Sequence, residues 1–381
     1  CKINVPDMKT RLLGKNPDEL RQIVTAEGLP AFTAKQIARW MYVRKVRSID
    51  MMTDISKAGR ERLSAKYEVG ATEYAGSVTS SDGTRKYLFP VEDTHGPSIP
   101  GQSAASGPSA FSRAVEAVVI PDGDRATLCV SSQAGCRMGC RFCMTGRQGF
   151  HGHLQAADIL SQFIAIDESS ALTNAVFMGM GEPLDNYQEV MRAISVLTSD
   201  WGFAWSPKRI TVSTIGVLPA LHRFLDESRC HLAVSLHNPF PDERLSIMPV
   251  EKAFHIYDIL DLIRQYDFSG QRRVSFEYTM FSGFNDSIRH ADALSRLLKG
   301  LECRVNLIRF HQIPDFPYTT SPDIVIRRFQ ERLNAAGVVA TVRASRGEDI
   351  LAACGMLAGA VRQNGRPAAL QAGPGTGHLR K

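Results

Sequence analysis

Residues 127–143 read TLCVSSQAGCRMGCRFC. The strand-like run Thr127–Ser131 predicts that the cysteines follow on a loop at the carboxyl end of a β-strand. That is the end of the strands where α/β barrels place their reactive groups. Three thiolates on one short loop, from Cys136, Cys140 and Cys143, can bind three irons of a four-iron cluster. The fourth iron would then have no protein ligand and could bind a small molecule.

A zinc site is the main alternative for this loop. Zinc sites usually combine two C-x2-C pairs, or add histidines at a set spacing. Here the fourth candidate ligand, Cys129 or Cys354, lies outside the loop. The chain has 8 cysteines, and crowding of three of them indicates metal binding or catalysis rather than disulfides. The spacing therefore favours an iron–sulfur cluster over zinc.

The chain beyond residue 113 alternates strand-like and helical stretches. Apolar strands that alternate with helices predict βα units and a parallel sheet. About six such units follow the cysteine loop, too few for a closed eight-strand barrel. We therefore expect an α/β fold, a partial (β/α)6 barrel, as the catalytic domain over residues 113–361. The strand candidates are Val115–Ile120, Thr127–Ser131, Asn174–Met178, Arg209–Ser213, Cys230–Leu236, Arg273–Thr279, Arg304–Ile308 and Val338–Arg343.

The segment 17–68 has helical spacing. Pro17 directly after Asn16 predicts a capped helix start. Thr33 and Gln36 predict a capping box for the next helix. These patterns indicate a small helical domain before the barrel.

The remaining segments lie between the helical domain and the barrel and after the barrel. Two β-like runs, Tyr74–Thr79 and Arg85–Val91, complete an accessory domain over residues 1–92. Residues 93–112 are rich in Gly, Pro and Ser and predict a flexible insertion. Residues 362–381 predict a disordered basic tail.

Positive charge is unevenly placed along the chain, whose formal net charge is +6. The accessory domain has 16 basic and 11 acidic residues, and the tail has four basic residues and no acid. A basic region beside a near-neutral body suits a polyanion such as RNA, although a solvated helical surface explains the charge equally well. Five cations in the second helical stretch have no acid among them: Lys35, Arg39, Arg44, Lys45 and Arg47.

The sequence contains no apolar run of the length that spans a membrane, about 18 residues. It also lacks a basic-then-apolar signal pattern at its start. We therefore expect a cytoplasmic protein without a membrane partner.

The C-x3-C-x2-C spacing, with Phe142 before the last cysteine, resembles the radical S-adenosylmethionine (SAM) superfamily. The resemblance implies a 4Fe–4S cluster and SAM as cofactors. In that superfamily the amino and carboxylate groups of SAM bind the open iron. Reductive cleavage of SAM then gives a 5′-deoxyadenosyl radical.

Several further motifs resemble the RlmN methyltransferases in particular. They include MTGRQGF (144–150), FMGMGEPLDN (177–186), VSTIG (212–216), LAVSLH (232–237) and RGEDILAACGMLAG (346–359). The resemblance covers about residues 17–361 and implies methylation of carbon 2 of an adenosine in 23S ribosomal RNA, protein-free or assembling. Some members also modify the tRNA anticodon loop. The resemblance further implies a reductant protein such as flavodoxin.

The resemblance also assigns contacts to SAM. Glycines let the backbone approach a ligand, and Glu182 after Gly181 can accept hydrogen bonds from the SAM ammonium group. The other implied contacts lie at or after strand ends. At one of them, His311, the family usually has asparagine, and both side chains offer a hydrogen-bond donor and an acceptor. These contacts are Ser213, Ser235, Leu236, His237 and, at the altered position, His311.

Three more residues receive catalytic roles from the resemblance. An adenine ring carbon is not nucleophilic, so a thiolate has to carry the methyl group first. The resemblance assigns that thiolate to Cys354, the release of the product to Cys129, and the acceptance of the ring proton to Glu116. Without the resemblance, both cysteines read as buried structural residues and Glu116 as a solvent-facing strand residue.

Two other functions compete with this one. The Cfr branch of the family methylates carbon 8 of adenine, but Cfr proteins tend to carry alanine where this chain has Pro183. A non-catalytic RNA-binding protein with an iron–sulfur or zinc site would need the cysteine loop. It would have no use for both Cys129 and Cys354.

Overall fold

The computed structural model describes residues 9–91, 113–270 and 272–358. The predicted insertion 93–112 and tail 362–381 lie outside the described residues. None of the described helices is long and apolar enough to cross a lipid bilayer.

A helical unit comes first. Its helices are α1 (Pro17–Ala26), α2 (Thr33–Ala38) and α3 (Lys57–Lys66), and a two-stranded parallel sheet joins β1 (Thr10–Arg11) to β2 (Tyr67–Glu68). A π-helical turn, Arg39–Val43, continues α2 directly, and a short 3₁₀ helix covers Ile49–Met51.

The two predicted helix starts have different outcomes. Asn16 caps α1 as predicted. Its side chain accepts hydrogen bonds from Asp18 N and Glu19 N, and the Glu19 carboxylate accepts one from Asn16 N. The predicted capping box of Thr33 and Gln36 is wrong. Thr33 is already the first residue of α2, and the Gln36 side chain donates to a backbone carbonyl elsewhere. A hydroxyl inside the first turn cannot act as the cap that precedes it.

The main sheet has ten strands in the order β14-β13-β12-β11-β10-β9-β6-β5-β4-β3. The strands β3, β4, β5 and β6 pair antiparallel, and the seven strands from β6 to β14 in this sheet pair in parallel. The strands are β3 (Gly76–Thr79), β4 (Arg85–Val91), β5 (Arg113–Asp122), β6 (Arg125–Cys129), β9 (Asn174–Phe177), β10 (Ile210–Thr214), β11 (His231–Ser235), β12 (Val274–Met280), β13 (Cys303–Arg309) and β14 (Val339–Val342). A two-stranded sheet, β7 (Gln133–Gly135) with β8 (Phe150–His153), lies beside it.

Helices connect most of the parallel strands. This arrangement confirms the predicted α/β fold with an open, partial barrel: β14 and β3 are the two edges of the sheet within the described residues. The helices are α4 (Met144–Arg147), α5 (Ala156–Ile164), α6 (Tyr187–Thr198), α7 (Leu218–Glu227), α8 (Pro241–Ile247), α9 (Ile256–Ile263), α10 (Ile288–Leu297) and α11 (Asp323–Ala335). Short 3₁₀ helices cover Pro183–Asn186, Pro207–Arg209, Pro249–Lys252 and Glu348–Ile350.

The β3–β4 hairpin belongs to the main sheet. Strand β4 pairs along its whole length with β5, from Arg85 opposite Val119 to Val91 opposite Arg113. The predicted boundary at residue 92 thus separates two hydrogen-bonded neighbours of one sheet. The helical unit ends before Gly76, and the hairpin extends the barrel wall.

Two apolar clusters hold these layers together. The larger lies between the sheet and its helices and includes the fully buried Phe276 and Tyr278 of β12. The smaller lies under the cysteine loop and is centred on Phe281, whose ring is 5.0 Å from that of Phe310 and 5.5 Å from that of Phe142. Burial of aromatic rings there fixes the loop against the barrel.

Candidate active site

A cavity opens at the carboxyl ends of the parallel strands. Its walls come from the cysteine loop after β7, the loop after β9, and the ends of β10, β11 and β12. About 960 Å³ in this region is free of protein atoms, and part of that space is open to solvent. Nine predicted site residues line this cavity: Cys136, Cys140, Cys143, Gly181, Glu182, Ser213, Ser235, His237 and Cys354.

The cysteine loop fits a four-iron cluster better than a single metal ion. Within the part of the chain that the structure describes, no three His, Cys, Asp or Glu side chains converge on one point, as a zinc ion requires. A cluster needs no such convergence, because each thiolate binds a different iron. Burial raises the pKa of Cys136 to about 12 and the pKa of Cys140 well above its usual value. Thiolates at these positions therefore need a bound cation.

Contacts on both sides hold the cysteine loop in place. Arg137 forms an ion pair with Asp185, with 2.9 Å between Nε and Oδ2. The Phe142 ring packs edge-on against the imidazole of His237, with 4.8 Å between ring centroids. These contacts join the loop to the segments after β9 and β11.

Gly181 and Glu182 form the cavity wall after β9. Gly181 has a φ of +98°, and a Cβ there would lie 2.5 Å from the Cβ of Gln133, so only glycine fits. The buried Glu182 carboxylate accepts hydrogen bonds from Leu184 N at 3.0 Å and Ile215 N at 2.9 Å. Burial raises its pKa to about 7. Each carboxylate oxygen keeps a lone pair with which to bind a cationic ligand.

The strand-end residues differ in what they offer the cavity. Ser213 and Ser235 line it, at the ends of β10 and β11. Leu236 is completely buried, and its N–H donates to Glu277 O at 3.1 Å. The structure thus places two of these three side chains on the cavity wall.

His237 presents one ring nitrogen to the cavity. Its Nδ1 accepts a hydrogen bond from Thr279 N at 3.0 Å, so the ring proton is on Nε2. Burial and the charge of Arg244 lower its pKa to about 3, so the ring is neutral at pH 7. His237 also has a φ of +57°, a left-handed conformation that is uncommon outside glycine.

The structure does not bring His311 to the cavity wall. This buried side chain lies 3.4 Å from the Glu348 carboxylate, measured from Nδ1 to Oε1. Its predicted contact with SAM stays a prediction.

Cys354 lies next to the cysteine loop. Met144 N, one residue after Cys143, donates to Gly355 O at 2.8 Å. The buried Thr145 hydroxyl donates to Leu357 O at 2.6 Å. Two hydrogen bonds therefore tie the segment around Cys354 to a loop more than 200 positions earlier in the chain. Cys354 is exposed at the cavity, and the surrounding protein atoms, by desolvation, together with the nearby Glu277 carboxylate raise the pKa of its thiol.

The β3–β4 hairpin supports the same C-terminal segment. Asp82 in the hairpin turn accepts a hydrogen bond from Gly347 N at 3.0 Å. Asp349 accepts from the Ser80 hydroxyl at 2.5 Å. The segment that carries Cys354 is thus anchored to the hairpin at one end and to the cysteine loop at the other.

Glu116 takes part in this anchoring. It is buried on β5, and its Oε1 lies 2.9 Å from Lys86 Nζ in an ion pair buried on both sides. Its Oε2 accepts a hydrogen bond from Ala358 N at 2.9 Å. Glu116 is not among the residues that line the cavity, so its role as a proton acceptor stays a prediction.

Cys129 lies behind the cavity wall, at the carboxyl end of β6. It is buried and does not line the cavity. Burial raises its pKa, and the second cause of the rise is the charge of Cys354. Its role in releasing the product from Cys354 stays a prediction.

Glu277 was not among the site residues predicted from the sequence. It is 4% exposed, lies on β12 and lines the cavity. The run Ser275–Thr279 contained a usable signal, because strand residues alternate between two faces and Glu277 shares its face with Ser275 and Thr279. An acidic residue at the centre of that polar face indicates an inward, functional position.

The predicted basic surface is smaller than the sequence indicated. Lys45 donates hydrogen bonds to the carbonyl and hydroxyl oxygens of Ser169, and Arg47 pairs with Glu73. Both therefore hold the helical unit together or against the barrel. Three exposed cations form no ion pair within the described residues: Lys35, Arg39 and Arg44.

Comparisons with known proteins agree with this geometry. Residues 130–294 match the model of the radical SAM superfamily. Residues 10–69 match the model of the ribosomal RNA large subunit methyltransferase N-terminal domain. The two matches correspond to the barrel and the helical unit.

Curated relatives are similar over nearly the whole chain. A protein of Porphyromonas gingivalis named probable dual-specificity RNA methyltransferase RlmN is 54% identical, over 92% of this chain and 94% of its own. The dual-specificity RNA methyltransferase RlmN of Syntrophus aciditrophicus is 38% identical, over 94% and 97%. The crystal structure of a radical SAM methyltransferase from Sphaerobacter thermophilus superposes with a TM-score of 0.82 at 37% identity, covering 91% of this chain and 99% of the other.

Proposed function

The chain belongs to the RlmN family of radical SAM RNA methyltransferases, and from this membership we propose that it methylates carbon 2 of an adenosine in 23S ribosomal RNA. An adenosine in the tRNA anticodon loop is the proposed second substrate, in line with the dual specificity named for the relatives. One observation carries the proposal: Cys354 lines the same cavity as the cysteine loop and is tied to that loop through Gly355 and Leu357.

The 4Fe–4S cluster and SAM supply the 5′-deoxyadenosyl radical and the methyl group. Cys136, Cys140 and Cys143 would hold the cluster, since their thiols line the cavity. Glu182 would accept the SAM ammonium group, because its buried carboxylate has lone pairs to spare. The other proposed SAM contacts are Gly181, Ser213, Ser235, Leu236, His237 and His311.

Cys354 would carry the methyl group to the base. A thiolate is a strong nucleophile toward the SAM methyl carbon, whereas an adenine ring carbon is not. Cys129, at the carboxyl end of β6, would then release the product from Cys354. Glu116 would accept the ring proton.

RNA would bind across the helical unit and the cavity mouth. The exposed Lys35, Arg39 and Arg44 would contact phosphates, and the target base would have to leave its stack to enter the cavity. The substrate would be ribosomal RNA that is protein-free or still assembling, in the cytoplasm. An electron-transfer protein such as flavodoxin would supply the reducing electrons.

Mass spectrometry of protein and RNA tests this function. Anaerobically reconstituted protein, incubated with SAM, reductant and protein-free ribosomal RNA, should carry a methyl group on Cys354 and yield 2-methyladenosine. A product of 8-methyladenosine would assign the carbon-8 activity instead. Protein that binds one zinc and no iron, and never yields 5′-deoxyadenosine, would be an RNA-binding protein rather than this enzyme.

A further inference from the structure

Glu277 has a buried carboxylate oxygen without a partner. Within the residues that the structure describes, Oε2 makes no hydrogen bond, although Glu277 is 4% exposed and lines the cavity that contains Cys354. A buried polar atom without a partner costs about 1–3 kcal/mol. A cost of that kind at a cavity wall indicates an atom that acts on something inside the cavity.

The other half of this carboxylate is held firmly. Oε1 accepts hydrogen bonds from the Ser275 hydroxyl at 2.9 Å and from Asn306 Nδ2 at 2.7 Å. Asn306 is fixed in turn, because its Oδ1 accepts from the Thr341 hydroxyl at 2.9 Å. Three neighbouring strands therefore orient Glu277 so that only Oε2 is available.

We propose that Glu277 takes the thiol proton of Cys354 when that sulfur accepts a methyl group from SAM. The S–H bond of Cys354 breaks, and its proton goes to Oε2 of Glu277. The electron pair left on sulfur forms the new bond to the methyl carbon. The bond between that carbon and the SAM sulfonium breaks, and S-adenosylhomocysteine leaves. This inference rests on the proposed function.

Charge balance in the cavity supports the transfer. Before the step, Glu277 is an anion, Cys354 is a neutral thiol and SAM carries a sulfonium charge. After it, the acid, the thioether and S-adenosylhomocysteine's sulfur are all uncharged. Removing a pair of opposite charges from the cavity avoids the cost of holding a lone thiolate beside the buried Glu277 carboxylate.

Two other acids near the cavity, Glu182 and Glu116, already have a hydrogen bond or ion pair at each carboxylate oxygen. Glu182 uses one oxygen on Leu184 N and the other on Ile215 N. Glu116 is paired with Lys86 and does not line the cavity. Among these three carboxylates, only Glu277 has an oxygen without a partner in the described part of the chain, and it lines the same cavity as Cys354.

The groups around Glu277 and Cys354 keep the proton on the Cys354 sulfur until SAM is bound. Desolvation raises the pKa of the buried Glu277 and of the solvent-accessible Cys354 thiol, and the Glu277 charge raises the pKa of Cys354 further. Arg343, beyond the end of β14, acts in the opposite direction on both groups, and Cys143 raises the pKa of Cys354 slightly. His237 also lines this cavity and is neutral.

A Glu277→Gln variant of the full chain, reconstituted with its cluster, provides the test. Mass spectrometry of the Cys354 peptide follows a single turnover with SAM that carries a deuterated methyl group. At saturating SAM we expect methylation about 100-fold slower than in the wild type, the usual effect of losing a general base. Glu277→Asp should recover part of the rate. Glu302→Gln, an exposed acid just before β13, is the matched control and should behave as the wild type.

A second measurement needs neither cluster nor SAM. Iodoacetamide alkylation of Cys354 in the cluster-free chain should shift to lower pH in Glu277→Gln, because the thiolate loses a neighbouring anion. A structural defect would not make Cys354 more reactive to this reagent and less reactive to SAM. Thermal unfolding of the variant confirms that it folds.

Three outcomes overturn the inference. Methylation at the wild-type rate in Glu277→Gln would show that no proton goes to this residue. A variant that needs more SAM but reaches the wild-type rate would make Glu277 a binding residue. An unchanged pH dependence of alkylation in Glu277→Gln would show that the Glu277 charge does not affect Cys354. If instead the wild type never methylates Cys354, the proposed function itself fails.

Discussion

The hydrogen bond from Thr145 to Leu357 should control how often Cys354 is in place. Thr145 is buried beside Cys143, and its hydroxyl donates to Leu357 O at 2.6 Å. Thr145→Val keeps the shape but removes the donor and leaves a buried carbonyl unpaired. That loss costs about 1–3 kcal/mol, equivalent to a change of about 5- to 150-fold in the equilibrium between the anchored and released segment.

Two measurements follow the released segment. Hydrogen exchange of the amides in residues 351–358 should speed up by that factor, and single-turnover methylation of Cys354 should slow. Thr198→Val is the matched control, because its hydroxyl donates to Ile194 O at 2.8 Å within α6, away from the cavity. Equal exchange in Thr145→Val and the wild type would refute the idea that this bond positions Cys354.

Four further predictions concern catalysis, acidity and RNA. Cys354→Ala should abolish methylation of RNA, as measured by mass spectrometry of the nucleosides, while the protein still binds iron. Cys129→Ala should trap a covalent protein–RNA adduct on denaturing gels, and free turnover of this variant would contradict its proposed role. The pKa of Glu182 is about 7 in the folded chain and 4.5 in the unfolded chain, so the folded chain keeps this proton to higher pH. Ionisation of Glu182 therefore lowers the stability of the fold as pH rises from 4.5 to 7. In Glu182→Gln, urea midpoints of the cofactor-free chain should fall less steeply over that range. Alanine at Lys35, Arg39 or Arg44 should in each case reduce the slope of log affinity against log salt by about 0.7–0.9, measured by RNA binding at several salt concentrations. An unchanged slope would place the RNA elsewhere.

The barrel could be predicted from the sequence because its signals are local. Each parallel strand is an apolar run between turn residues, and the cysteine loop follows one of them within a few positions. The Asn16 cap was equally readable, since all its partners lie within three residues. The Thr33 prediction failed by one position, because the chain before it already forms a turn that sets the start of α2.

The assembly of the site could not be predicted from residue patterns alone. Thr145 and Leu357 meet only after the chain has passed through the whole barrel. Likewise Asp82 reaches Gly347 because the hairpin joins the main sheet, which the predicted boundary at residue 92 did not anticipate. Glu277 was overlooked because its partners, Ser275 apart, lie on other strands.

The pairing of β4 with β5 has a practical consequence. Val91 and Arg113 lie opposite each other in the sheet, and the Arg113 side chain donates to His151 O beside the cysteine loop. The chain thus leaves the main sheet at Val91 and returns to it at Arg113, directly opposite. Because the two strands are held by their own ladder of hydrogen bonds, we expect that residues 92–112 can be shortened, lengthened or replaced by a fluorescent reporter without shifting the register of either strand.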